Sequence, residues 1–399
     1  MLCVLITAFL LYSLVQIYLE ILELNFIKTE AKNKAVVLDE SEYKKAAAIG
    51  IENHKFKAFS VVYDFFVVVF WLGFGLKFLY QNIVVNGTVL ENLAFVMSFI
   101  LINSLLSLPL EIYSKFVKDK KFGFSNMTVK IFIIDTLKTL VITLIAGSIM
   151  VWLLILCVNF LGSSWWIWAG ILSFIIVLAI NFLYPTLIAP MFNKMSPLED
   201  DDLRGDIERL LNECGFKSSG IFTIDASKRD NRLNAYFGGL GSSKRVVLFD
   251  TLIKKLSRGE ILAVLGHELG HFKHGDIKRN LLYSAVMIFM MFFIFGNLPT
   301  SVFQAVGVAK SSGSIIVMLM ILSTLLGFIA TPVLSTLSRK KEFAADKHGA
   351  DIQNSEDMVS ALKKLGSENK AFPKSHKLYS AIYHSHPTLF ERIEELEGR

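Results

Sequence analysis

The sequence predicts a mainly helical, multi-pass membrane protein with about seven transmembrane helices and a small α+β domain. Hydrophobic residues make up 53% of the 399 residues and charged residues only 19%, with a mean hydropathy of +0.51. A soluble fold of this size could not bury so much apolar surface, whereas a bilayer removes that requirement. Seven apolar runs are long enough to cross a bilayer as helices. They lie near 2–22, 59–80, 92–113, 138–160, 164–189, 281–300 and 314–336.

Charge and cysteine content argue against several other classes of protein. The net charge of +6 is mild, and many Lys and Arg residues lie in short loops instead of on one soluble module. We therefore expect a lipid bilayer and no nucleic acid as a partner. The cysteines Cys3, Cys157 and Cys214 are odd in number and far apart, which argues against a disulfide framework.

The first apolar run, residues 2–22, could be mistaken for a signal peptide. It lacks a basic segment in front of it and a small-x-small cleavage site behind it. We therefore expect a retained membrane helix.

The loops between the apolar runs predict the orientation of the chain. Loops one, three and five and the carboxyl-terminal tail are rich in Lys and Arg, whereas loops two and four carry none and loop six carries only Lys310. The positive-inside rule then predicts an external amino terminus, with the long loop 190–280 and the tail both on the cytosolic face. Two spans separate these two polar segments, so an odd number of helices is consistent with their lying on one side.

Two ionisable residues fall inside the second apolar run. Asp64 and Lys77 are costly in lipid unless they face protein or a watery cavity. An interhelical pair or an interfacial anchor would explain them, and so would a water-filled interior.

The segment from His267 to His271 reads His-Glu-Leu-Gly-His and follows an apolar-periodic stretch that predicts a helix. Residues four apart share one face of a helix, so both imidazoles can reach a single ion. Glu268 then lies beside the first ligand, where it can act as the general base of a zinc metalloprotease. The alternative is a pair of surface histidines at a polar helix end. His274, three residues after His271, is a weaker candidate ligand than the pair four residues apart.

A catalytic zinc ion takes three protein ligands and keeps one open position. Glu342 and Asp346, again four apart on a probable helix, supply the candidates. We expect Glu342 to bind the metal, one Zn²⁺ per chain, and Asp346 to fix the tautomer of a ligating imidazole. Acidic pairs commonly solvate a helix face, so this assignment depends on the upstream His-Glu-x-x-His motif.

These segments resemble the type I CAAX prenyl protease family, which are integral-membrane zinc metalloendopeptidases. The resemblance extends beyond the zinc motif and is dense over 180–280 and 335–395. Its further segments are YPTLIAPMFNKMSPL (184–198), IDASKRDNRLNAYFGGLGSSKRVVLFDTLI (224–253), SRKKEFAAD (338–346) and HSHPTLFERI (384–393).

The resemblance implies seven helices that enclose a chamber, with a polar domain covering an inward-facing zinc site. The expected division is 1–189 for five membrane helices, 190–280 for the catalytic domain, 281–337 for two more helices and 338–399 for a segment that completes the site. The implied substrates are prenylated or membrane-tethered proteins, cut near their CaaX carboxyl terminus.

Three further residues match the family motifs. Asn234 precedes a glycine-rich turn and the strand-like run RVVLFD, an edge that could pair with an extended substrate, or it is only a turn residue. His386 could donate to the developing oxyanion, or it is a structural histidine before Pro387. Arg392 is expected to tie the tail helix to the site.

Two other functions are consistent with parts of this pattern. An HtpX-like quality-control protease would share the zinc chemistry without a prenyl requirement, but those relatives have fewer spans. A transporter with an incidental His-Glu-x-x-His would be expected to show broken helices and internal repeats, and the sequence shows neither.

Overall fold

The structure is a computed structural model that describes residues 1–398, and seven of its helices are long and apolar enough to cross a membrane. The predicted number of spans is therefore confirmed. We label these helices α1 to α5, α9 and α11. Their bounds are α1 Leu2–Glu30, α2 Glu40–Ile83, α3 Val89–Lys121, α4 Val129–Phe160, α5 Gly162–Phe192, α9 Asp276–Gly296 and α11 Ser312–Ile352.

Seven shorter α-helices, two 3₁₀ turns (Ala226–Lys228 and Gly241–Ser243) and four strands make up the rest of the regular structure in residues 1–398. The helices are α6 Asp201–Glu213, α7 Asp250–Lys255, α8 Arg258–Lys273, α10 Thr300–Ala305, α12 Ser355–Glu368, α13 Lys377–Tyr383 and α14 Leu389–Leu396. The strands are β1 Met195–Pro197, β2 Ile221–Ile224, β3 Ala235–Gly238 and β4 Arg245–Phe249.

Several membrane helices are longer than the apolar runs that predicted them. α2 begins at Glu40, where the Asp39 side chain accepts a hydrogen bond from the Glu42 amide. α4 begins at Val129, behind a similar cap by Thr128. A capped helix continues as far as its backbone hydrogen bonds do, whereas hydropathy marks only the part that faces lipid.

Most residues in the apolar parts of these helices are not buried inside the protein. In the most apolar 18 residues of each helix, between 6% and 44% are buried. So much uncovered apolar surface is expected of helices that cross a bilayer. Asp64 and Lys77 are also exposed on α2, and within residues 1–398 neither forms an ion pair. The interhelical pair that the sequence allowed is therefore not formed there.

The helix α11 joins the membrane bundle to the polar domain. At 1.5 Å per residue its 41 residues span about 60 Å, roughly twice the thickness of the hydrocarbon layer. Its first half packs in the apolar core with Phe95 and Phe303. Its second half carries Glu342 and Asp346 into the polar domain, so the boundary expected at residue 337 falls inside one continuous helix.

The polar domain contains a four-stranded sheet in the order β1-β2-β4-β3. β4 pairs with β2 in parallel and with β3 in antiparallel orientation. The run RVVLF is therefore internal, and the free edge beside Asn234 belongs to β3. A core that includes Ile207, Leu248 and Leu265 fastens α6 and α8 to this sheet.

Candidate metal centre

The helix α8 presents two imidazoles on one face. It begins with a capping box in which the Ser257 side chain accepts from the Glu260 amide and the Glu260 carboxylate accepts from the Ser257 amide. One turn separates His267 from His271, and their Nε2 atoms lie 3.2 Å apart. The cap and the apolar face of α8 thus fix the two rings in the arrangement that the spacing predicted.

The second half of α11 packs very closely against α8. A Cβ atom on Gly349 would lie 2.7 Å from the Ala263 carbonyl oxygen, and one on Gly270 would lie 2.9 Å from the Ala345 Cα. Only glycine permits such an approach at these points, because any side chain would overlap backbone atoms. The glycines therefore let the two helices come close enough for their side chains to share a site.

This approach brings Glu342 to the two histidines. Its Oε2 lies 3.5 Å from the His267 Nε2 and its Oε1 lies 3.4 Å from the His271 Nε2. One atom from each of the three residues lies within 4.8 Å of the other two. His274 is outside this group, at the end of α8, and His348 donates instead to the Gly266 carbonyl.

A chain of hydrogen bonds orients His267. Its Nδ1 donates to the Asp346 carboxylate at 2.8 Å. The Arg392 guanidinium, on α14, donates to both oxygens of Asp346, at 2.8 and 2.5 Å. The tail helix is thereby tied to the site through Arg392 and Asp346.

Sequence reasoning missed the residue that orients the second histidine. The His271 Nδ1 donates to Asp276 at 2.8 Å, and Lys341 lies 3.7 Å from the same carboxylate. The feature of the sequence that could have indicated Asp276 is its place five residues after His271. A turn at Gly275, whose φ of 72° is left-handed, separates the two residues. Nothing in the spacing showed that this acid turns back toward α8.

The donor set fits a zinc ion. With both Nδ1 atoms engaged by carboxylates, the two Nε2 atoms face the centre and are the ones available to bind a metal. Two neutral imidazoles and one buried carboxylate make a set of three typical of catalytic zinc, which leaves the fourth position open.

Glu268 lies in a cleft of about 390 Å³ beside this centre. Burial raises the pKa of its carboxyl above the ordinary value, although the neighbouring imidazoles act in the opposite direction. The same cleft is lined by His267, Asn234 and His386. A carboxyl group with a raised pKa in a cleft next to metal ligands suits proton transfer.

His386 and Asn234 are the two remaining candidate residues that line the cleft. The His386 Nδ1 is 2.7 Å from the Glu342 Oε2, while 59% of its side chain is exposed. Asn234 is exposed at the start of the edge strand β3, and its Oδ1 accepts from the Ala235 amide. Both residues thus border the open side of the cleft.

Comparison with family models gives two matches that together cover most of the chain. Residues 197–399 match Peptidase family M48, and residues 25–194 match the CAAX prenyl protease N-terminal domain with five membrane helices. The first match contains the whole candidate centre, and the second contains α2 to α5 and part of α1.

Several curated proteins are similar over most of their length. CAAX prenyl protease 1 of Saccharomyces cerevisiae is 34% identical over 78% of this chain and 73% of its own. The homologue of Arabidopsis thaliana is 30% identical over 96% and 94%. The crystal structure of S. mikatae Ste24p superposes with a TM-score of 0.90 at 29% identity, and covers 99% of this chain and 98% of that one.

Proposed function

This chain belongs to peptidase family M48 and is an integral-membrane metalloprotease, and we propose that it uses one zinc ion to cut prenylated substrates near their CaaX carboxyl terminus. The relatives named CAAX prenyl protease support this substrate class. The observation that carries the proposal is the grouping of His267, His271 and Glu342 within 4.8 Å, with Glu268 in the cleft beside them.

The residues of the cleft have separate roles in hydrolysis. His267, His271 and Glu342 would hold zinc, which when bound supplies a Lewis acid for the scissile carbonyl. Glu268 takes a proton from the attacking water and passes it to the leaving amine. His386 donates to the oxygen on which negative charge develops. Asp346, Arg392 and Asp276 keep the two ligating rings in position.

The free edge of β3 is the proposed platform for the substrate. An extended peptide can pair with an exposed strand edge through main-chain hydrogen bonds. Asn234 and Ala235, at the start of β3, line the same cleft as Glu268. A peptide on this edge therefore passes the catalytic base, with Asn234 available to bond its backbone.

The proposed orientation puts the polar domain on the cytosolic face and the amino terminus outside. The loops after α1 and α3 lie at the same end of the bundle as the polar domain, because Lys374 pairs with Glu30 and Asn231 bonds Gly123. The basic residues at this end are Lys32 and Lys34 in the loop after α1 and Lys118, Lys120 and Lys121 in the last turn of α3, as the positive-inside rule requires of cytosolic segments.

The test is cleavage by the full-length protein, purified in detergent and loaded with zinc. A farnesylated CaaX peptide, the same peptide without its lipid, and the variants Glu268→Gln and Glu199→Gln would be compared. Glu199 is an exposed acid of the polar domain and serves as the matched control. We expect cleavage of the lipidated peptide by wild type and Glu199→Gln, and at least a thousandfold loss in Glu268→Gln with zinc content retained.

Two outcomes would contradict parts of the proposal. Equal cleavage of both peptides would remove the prenyl requirement and favour a quality-control protease. Full activity of Glu268→Gln would remove the assigned base.

A further inference from the structure

A second cavity, of about 470 Å³, lies between the first two helices and the carboxyl-terminal segment. Its charged lining is strongly unbalanced, because it contains five basic side chains and a single carboxylate, Glu23. The basic residues are Lys57, Lys118, Arg232, Lys370 and Lys374.

Three of these cations are paired with acids. Lys374 lies 2.6 Å from Glu30, and Lys118 and Arg232 each lie 3.1 Å from Asp119. Such pairs leave little net charge for a ligand.

Lys57 and Lys370 differ from the other three, since their ammonium groups meet only neutral oxygens. Lys57 donates to the Tyr379 hydroxyl at 3.1 Å, and Lys370 donates to the Phe122 carbonyl. Neither forms an ion pair with a carboxylate in the part of the chain that the structure describes. The cavity therefore has two ammonium groups that form no direct ion pair among the described residues.

His384 lines the same cavity and experiences its positive charge. Burial, followed by the positive charges of Lys57, His54 and Arg339, lowers the pKa of His384 to about 4. Burial disfavours a charge of either sign, so only the smaller contribution from the neighbouring cations reflects the excess of basic side chains around the cavity.

Lys370 is held in an unusual backbone conformation. Its φ is 50°, in the left-handed region that residues other than glycine rarely adopt. The turn after α12 fixes this conformation, because the Ala371 amide donates to the Gly366 carbonyl at 2.9 Å. A left-handed residue with this hydrogen bond is a usual way to end a helix, and here it fixes where the Lys370 side chain leaves the backbone.

The cavity adjoins the catalytic cleft. Asn369 and Ala371 line both spaces. The Asn369 side chain also accepts from the Leu233 amide at 2.7 Å and donates to the Leu233 carbonyl at 3.2 Å, which fastens the start of the edge strand. The basic cavity thus lies beyond the Asn234 end of β3.

The direction of a bound peptide follows from this placement. A peptide antiparallel to β3 runs from Gly238 toward Asn234, so its carboxyl end points past Leu233 to Asn369 and Lys370. Three residues after a scissile bond reach about 10 Å in extended form. A CaaX substrate has three residues after its cysteine, and its chain ends in a carboxylate.

We propose that this cavity binds the terminal α-carboxylate of the substrate through the ammonium groups of Lys57 and Lys370, and thereby measures the length of the segment to be removed. This inference rests on the proposed function, because it assumes a peptide on β3 with its carboxyl end in the cavity. It makes Lys57 and Lys370 specificity-determining residues that lie outside the catalytic group.

The test compares two farnesylated CaaX peptides that differ only in a free or an amidated carboxyl terminus. Wild type, Lys57→Met, Lys370→Met, the double variant and the control Lys217→Met would be assayed in zwitterionic detergent for release of the tripeptide. Lys217 is an exposed lysine of the polar domain that does not line the cavity. Each protein would first be checked for its thermal unfolding midpoint and zinc content.

We expect wild type and Lys217→Met to cut the free acid about a hundredfold faster than the amide, in kcat/KM. Each lysine substitution should reduce this preference about tenfold, the size of one charge-assisted hydrogen bond. The double variant should cut the amide with the same kcat/KM as wild type. A merely structural role would lower cleavage of both peptides and leave their ratio unchanged.

Three outcomes would overturn the inference. They are equal cleavage of acid and amide by wild type, an unchanged ratio in the double variant, and an effect of the substitutions seen only in vesicles with anionic phospholipid. The last result would assign the cavity to a lipid headgroup. If wild type cut neither lipidated peptide, the proposed function itself would fail, and the inference with it.

Discussion

The two halves of α11 follow different packing rules. In the membrane half, a Cβ atom on Gly327 would meet no atom within 4 Å. In the polar half, one on Gly349 would meet the Ala263 carbonyl oxygen at 2.7 Å and the His267 amide nitrogen at 3.0 Å. The membrane half can rely on lipid to fill space around it, whereas the catalytic half is fitted to one neighbour with little tolerance.

Acidic residues show the same contrast. Asp64 in the membrane bundle is exposed and has no ion-pair partner among the described residues, whereas Asp346 in the polar domain is 1% exposed and bonds both His267 and Arg392. The side chains of this protein are therefore positioned most accurately where α8, α11 and α14 meet.

The largest expected effect comes from adding one methyl group to each half of α11. Gly349→Ala should destabilise the protein by about 2–3 kcal/mol, because the new Cβ overlaps backbone that cannot move aside. Activity should fall about a hundredfold as Glu342 shifts away from the histidines. Gly327→Ala adds the same group in open space, and alanine is the better helix former by about 1 kcal/mol. Thermal unfolding midpoints and peptide cleavage would be measured. Equal effects at the two positions would contradict the difference in packing between the two halves of α11.

The second prediction concerns the two aspartates. Asp346→Asn should weaken zinc binding by about 10–100-fold, or about 1.4–2.7 kcal/mol, since an amide oxygen orients the His267 ring less strongly than a carboxylate does. Asp64→Asn should leave zinc affinity unchanged. Competition with a chromophoric chelator measures both values. An unchanged affinity in Asp346→Asn would show that Arg392 and the packing of α8 suffice to hold the ring.

The smallest effect is expected at Glu260, which joins α8 to α12. Burial opposes its ionisation, but hydrogen bonds from Lys364, Ser360 and the Ser257 amide outweigh burial and lower the pKa of Glu260. A lowered folded-state pKa adds stability at pH values above the unfolded value, about 4.3, and this stability is lost as the pH falls through the folded value.

Glu260→Gln should therefore cost about 1 kcal/mol at pH 7 and show a flatter loss of stability below about pH 4.5. Glu111→Gln, at an exposed acid of the membrane helix α3, is the matched control and should follow wild type at every pH. Unfolding midpoints between pH 3 and 7 would be compared. A variant at Glu260 that tracks wild type across this range would contradict the assigned role of the ion pair with Lys364.

The sequence predicted most of the candidate centre because its residues are spaced by helix geometry. His267 with His271, and Glu342 with Asp346, are each four apart, which is visible without any tertiary information. Asp276 was missed because its contact with His271 depends on a left-handed turn at Gly275. The sequence suggests the strand-like run RVVLFD as an edge for the substrate, whereas in the structure the edge strand is Ala235–Gly238, because hydrophobic pattern does not reveal the order of strands.

What the sequence determined by itself is local and periodic. It specified seven helices of sufficient length to cross a bilayer, an alternation of basic and nearly uncharged loops, and two pairs of ligand-type residues at one-turn spacing. The tertiary structure alone decided how close α8 and α11 come at Gly349 and Gly270, and which edge strand borders the cleft. It also brought Lys57 and Lys370, more than 300 positions apart in the sequence, to one cavity. Such contacts depend on packing between distant segments, which no local spacing encodes.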